Sequence, residues 1–103
     1  MSHYTPYLDW IATQQQHMVL LTEQWSRINS GSYNLAGIKK FRDALADNFS
    51  WLEGEMKLVP LQPITEIDER GNEVAIEMAE ALVITKRPNA KIQVLLAGHM
   101  DTV

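Results

Sequence analysis

Residues Ile92–Val103 read IQVLLAGHMDTV. Ile92, Val94, Leu95, Leu96 and Ala97 form an apolar run of strand length and composition, broken by one Gln and stopped by Gly98; this predicts a buried strand. Immediately past the glycine come His99 and Asp101. In extended chain, residues two apart project to the same side, whereas Met100 between them faces the other way. An imidazole and a carboxylate would therefore stand together at a strand's carboxyl end. Open α/β sheets usually carry their ligands there, and an imidazole held by a carboxylate is a common metal-binding arrangement.

A strand ending in LLAGHMDTV resembles the first metal-binding motif of the M20 family of zinc metallopeptidases, the carboxypeptidase G2-like and acetylornithine deacetylase-like amidohydrolases. The resemblance implies that His99 binds a metal ion and that Asp101 is an active-site residue orienting it. It further implies zinc, two ions in the complete site with other divalent metals as substitutes, and a small peptide or N-acyl amino acid as substrate. Members of the family complete the site downstream of this motif, with a bridging aspartate, further carboxylates, a second histidine and a glutamate base. None of these maps onto the present sequence. Glu53, Glu55, Asp68 and Glu69 lie upstream, in or beside turn signals, and do not match the family's pattern.

The chain has 103 residues, 46% hydrophobic and 21% charged, which suits one small globular domain over residues 1–103. It stops at Val103, directly after the candidate site, so the expectation is an amino-terminal fragment of a larger catalytic domain. The net charge of -4 and thinly spread basic residues give no positive patch for nucleic acid. There is no cysteine, which removes disulfides and thiolate zinc sites and leaves His and carboxylates as ligands. The opening MSHYTPYLDW has neither a basic segment nor an unbroken apolar core, and no apolar run reaches membrane-spanning length. A cytoplasmic protein without a membrane partner is expected.

Taken in order, Thr5 and Pro6 predict a helix start. Tyr7, Ile11, Met18, Leu21, Trp25 and Ile28 then recur at helical spacing, with an interruption around Gln14–Gln16. These aromatics read as core packing. His17 lacks acidic or histidine neighbours and reads as a surface or boundary residue, and His3 as part of a loose tail. The polar break NSGSYN over Asn29–Asn34 ends in a candidate N-cap at Asn34. A second helix follows, with the stripe Leu35, Ile38, Phe41, Leu45, Phe49 and Leu52 and a stop at Gly54. The NSGSYNLAG segment also resembles that family's link between its first two helices. As a capping loop its residues are fully explained, and it carries no catalytic assignment.

From Met56 the period changes. MKLVPLQP predicts a short strand that Pro60 confines to an edge. Ile64–Ile67 runs into the turn signal DERGN, across which Val74–Met78 could pair back. Ala81–Thr85 is a second strong strand, and the six-residue link KRPNAK suggests that it pairs antiparallel with Ile92–Ala97. Lys86, Arg87 and Lys91 read as a solvated turn. The resulting fold class is α/β, with two amino-terminal amphipathic helices packed on a mixed β-sheet. A sheet cut after its third strong strand would leave unpaired backbone, so association into a homodimer or larger aggregates is expected. Two functions stand at this point. One is the amino-terminal part of a dizinc hydrolase of amide or peptide bonds, inactive as the isolated fragment. The other is a truncated, noncatalytic α/β interaction module.

Overall fold

A computed structural model describes residues 2–102. Helices come first: α1 spans Thr5–Thr13, α2 Gln15–Ser26 and α3 Leu35–Phe49, followed by a short 3-10 turn at Ser50–Leu52. Four strands follow, β1 (Glu55–Val59), β2 (Ile64–Ile67), β3 (Glu73–Ile76) and β4 (Ala81–Thr85). The α/β class and the order of helices before strands are as the sequence predicts. The strands form two separate antiparallel ribbons, β1 with β4 and β2 with β3.

The first helical stretch is divided at Gln14. The Thr13 hydroxyl donates to the Trp10 carbonyl at 2.6 Å, and the Gln14 amide reaches the Ile11 carbonyl at 2.9 Å. Gln14 leaves the helical conformation, with φ -92° and ψ 4°, and its amide bonds three residues back instead of four. Only the second segment packs: Leu21, Trp25 and Ile28 are half-buried, whereas Tyr7 and Ile11 on α1 are exposed. Trp25 meets Phe41 of α3 with ring centroids 5.9 Å apart, and its indole Nε1 is buried without a hydrogen-bond partner.

Most of the stripe on α3 faces inward as expected, with Ile38 buried and Leu35, Phe41 and Leu45 half-buried, whereas Phe49 at its end is exposed. Its amino end is capped by Asn34, whose Oδ1 accepts from the Gly37 amide at 3.0 Å. Arg42 lies on the same buried stripe. Its guanidinium meets Glu80 at 3.2 Å and Asp43 at 3.0 Å, tying α3 to the segment that enters β4. At the exit from α3, Glu53 takes the left-handed conformation (φ 56°) and Gly54 passes so near Thr85 that a Cβ would stand 2.6 Å from its carbonyl oxygen. The absence of a side chain at 54 lets β1 enter register with β4, Glu55 opposite Thr85. β1 ends at Val59, directly before Pro60. The β2–β3 hairpin turns through Asp68–Asn72, where Asp68 Oδ1 accepts from the Arg70 and Asn72 amides, both at 2.9 Å.

The sequence expectation for Ile92–Ala97 is corrected. These residues form no strand and pair with nothing in the described residues; Leu95 and Leu96 are 90% and 89% exposed. β4 is instead joined to β1. The turn after β4 is drawn in on itself: Arg87 adopts a left-handed φ of 51°, and the Gln93 side-chain amide donates to the carbonyls of Arg87, Pro88 and Ala90. The chain therefore leaves β4 in a compact turn rather than folding back along it.

The buried apolar set is small, centred on Ile38 and Ala79. The accessible surface is 9055 Å², against about 5,900 Å² for a compact monomer of this mass. The radius of gyration is 17.8 Å, against about 13 Å for a compact domain of this length. Helices and ribbons thus stand open, with much apolar surface uncovered. Among the described residues no helix is long and apolar enough to cross a membrane.

Candidate functional site

His99 and Asp101 lie on the extended segment that follows the post-β4 turn, and the loop between α2 and α3 comes to meet it. Gly31 and Thr102 form an isolated parallel bridge. The Thr102 amide donates to the Ser30 carbonyl at 2.8 Å, and the Ser32 amide donates to the Thr102 carbonyl at 3.1 Å. Ser30 is buried, at 2% exposed, whereas Ser32 and Tyr33 on the same loop are exposed.

Within the junction, His99 Nδ1 stands 3.3 Å from Asp101 Oδ1. The expected projection of the two side chains to one side is thus present, although the segment belongs to no sheet. Asp101 Oδ2 accepts from the Ser32 hydroxyl at 2.8 Å. The carboxyl of Asp101 is held below its ordinary value, chiefly by the Ser32 hydrogen bond; partial desolvation opposes this, and the contact with His99 adds to it. The carboxylate is therefore the resident form at neutral pH. With a carboxylate facing Nδ1, a neutral imidazole carries its proton on that nitrogen and presents a lone pair at Nε2. The His99 side chain is 92% exposed, so Nε2 is open to an incoming ligand.

Among the described residues, no cluster of three or more His, Asp or Glu side chains could hold a metal ion. His99 and Asp101 fit the part of one ligand and its orienting carboxylate, not that of a whole site. Three of the other acidic residues are engaged elsewhere: Asp68 caps the β2–β3 turn, Glu55 pairs with Lys57 at 3.3 Å, and Glu80 with Arg42. His3 stacks edge-on against Tyr4 with ring centroids 5.5 Å apart, and His17 is exposed on α2.

A shallow, open depression adjoins the junction, lined by Gly31, Ser32, Tyr33, Asn34 and Thr102. The Tyr33 hydroxyl donates to the Glu66 carboxylate, 3.0 Å from Oε1 and 3.2 Å from Oε2, which links this loop to the β2–β3 hairpin. That hydrogen bond, with the charge of Glu66 and slight desolvation behind it, raises the phenol above its ordinary value.

Ser32 is the site residue that reading the sequence passes over. Its contact with Asp101 spans 69 residues of chain, and a serine in a capping loop has a sufficient local explanation. The signal available was the coexistence of two family-like segments, NSGSYNLAG and LLAGHMDTV, in one short chain; Val103 of the latter lies outside the described residues.

The chain matches no family model. No curated protein and no solved structure matches it either.

Proposed function

We propose that this chain contributes the amino-terminal portion of a metal-dependent hydrolase of the M20 metallopeptidase type, cytoplasmic and acting on an amide or peptide bond of a small peptide or N-acyl amino acid. In this reading His99 is a metal ligand through Nε2 and Asp101 orients it. The observation that carries the reading is the His99–Asp101 contact at 3.3 Å, with the imidazole otherwise open to solvent. A carboxylate on the far nitrogen fixes the tautomer, aims the ring and raises its basicity toward a cation. A zinc ion held there would supply Lewis acidity toward a carbonyl or a water, with His99 as one of its ligands and Asp101 orienting that ligand.

This chain's own part is narrower. His99 offers one nitrogen, Asp101 holds the proton on the other, and the α2–α3 loop fixes the backbone beside them. A catalytic zinc takes three protein ligands, and among the described residues no group of three His, Asp or Glu side chains is placed to supply them, so this reading requires ligands and a general base that His99 and Asp101 do not provide. The uncovered apolar run at Ile92–Leu96 and the open arrangement of helices and ribbons support the view that further chain completes the domain.

The same apolar run favours a second reading, a noncatalytic α/β interaction module. Isothermal titration of the chain with zinc separates the two. The hydrolase reading expects weak binding, abolished in His99→Ala and weakened about 10- to 100-fold in Asp101→Asn, the range for losing a ligand's supporting partner. It expects no peptidase activity from the chain alone. Zinc binding that survives His99→Ala unchanged would remove His99 from the metal and favour the module.

A further inference from the structure

We propose that Ser32 is a positioning residue for His99, acting through Asp101: its hydroxyl fixes one carboxylate oxygen so that the other meets the imidazole. The inference rests on the reading of His99 as a ligand and adds to it a residue from a different part of the chain.

The two oxygens of Asp101 have separate partners, Ser32 Oγ on Oδ2 at 2.8 Å and His99 Nδ1 on Oδ1 at 3.3 Å. The terminal torsion of an aspartate is broad and nearly two-fold, so a single long contact does not fix the plane of the carboxylate. The shorter bond to Ser32 supplies the second point that defines it. Both bonds end on the charged carboxylate and are strengthened by it, so the difference lies in length: at 2.8 Å against 3.3 Å, Ser32 is the firmer of the two anchors. The hydroxyl's other acceptor, the Thr102 carbonyl, is at 3.5 Å and does not compete well.

Ser32 can serve this purpose because its loop is fixed and the segment it meets is not. The Gly31 amide donates to Asn29 Oδ1 at 3.1 Å, the Asn34 amide to the Gly31 carbonyl at 2.8 Å, and Asn34 Nδ2 to the Asn29 carbonyl at 3.0 Å. The loop is thereby continuous with the capped end of α3. Residues 93–101, by contrast, make no backbone–backbone hydrogen bonds among the described residues. The junction divides the work: main-chain bonds at Thr102 hold the segment to the loop, and the Ser32 hydroxyl sets the direction of the carboxylate. A change that removes only the hydroxyl leaves the main-chain bonds in place.

The test uses the full chain without metal, at a fixed pH above the ordinary histidine range, with proton–nitrogen NMR correlations reading the tautomer of the His99 ring. The expected parent state has the proton on Nδ1. Ser32→Ala should lower the Nδ1–H to Nε2–H ratio about 3- to 10-fold, the effect of one ordinary hydrogen bond, and Ser32→Thr should restore it. Hydrogen-exchange protection of the Thr102 amide should be unchanged in both variants. The proposal is overturned by an unchanged ratio in Ser32→Ala, by a parent ring protonated on Nε2, by a threonine variant that behaves like alanine, or by loss of Thr102 protection in Ser32→Ala. The metal reading fails separately, through zinc binding that survives His99→Ala, whichever way the tautomer moves.

Discussion

Gly37→Ala should destabilise this protein, against the usual rule for a glycine inside a helix. Replacing a helical glycine by alanine ordinarily gains up to about 1 kcal/mol through backbone entropy. At position 37, however, the added Cβ would fall 1.8 Å from the Asn29 carbonyl oxygen, 2.6 Å from Asn34 Nδ2 and 2.9 Å from Asn34 Cγ. The nearest of these is backbone, so no rotamer change relieves the overlap. The loop must move off the helix, and the Asn34 cap on Gly37 and the Asn34–Asn29 bond are lost with it. A cap is worth about 1 kcal/mol, a hydrogen bond about 1 kcal/mol, and forced repacking costs about 1–3 kcal/mol. After the propensity gain, a net loss of about 2–4 kcal/mol is expected. Urea unfolding followed by tryptophan fluorescence would measure it. Because the same loop carries Ser30 and Ser32, the Thr102 amide should also lose exchange protection. An alanine variant as stable as the parent, or more so, with Thr102 still protected, would refute the packing argument.

Two further outcomes follow from the same geometry. The phenol of Tyr33 is raised above 10.0 by its bond to Glu66, so the loop–hairpin link is fully present below that value and is lost as pH rises through the raised one; alkaline titration of tyrosine absorbance should show a late component that Tyr33→Phe removes and Glu66→Gln returns to the ordinary range, and a curve indifferent to Glu66→Gln would count against the link. The exposed run Ile92–Leu96 should make the chain associate as concentration rises, and Leu95→Lys should reduce that association several-fold in sedimentation; a parent that stays monomeric throughout would contradict it.

What could be read from the sequence was what depends on neighbours along the chain. Asn34 as a cap, the inward stripe of α3, the end of a strand before Pro60 and the turn at Asp68–Asn72 each follow from local torsional and hydrogen-bonding preferences. Strand pairing was less legible because the partners compete over distance. Ala81–Thr85 is as apolar as a central strand, yet its register is with Glu55–Val59, where Gly54 clears Thr85, and the Gln93 amide closes the turn that follows β4. Ile92–Ala97 has strand composition, but composition cannot supply an adjacent edge, and here the run is exposed. At the site, the proximity of His99 and Asp101 was predictable from their spacing, and the arrival of Ser32 from the opposite part of the chain was not.

A metal ion bound through His99 would be felt first by that ring. The chain contains three histidines, so a zinc titration followed through all three ring resonances by NMR carries its own controls. The His99 ring is expected to shift or broaden at the lowest zinc concentrations, on the Nε2 side, while His3 and His17 respond later or not at all. If His99 moves no earlier than His3 and His17, it is not a preferred ligand, and the hydrolase reading of this site is contradicted.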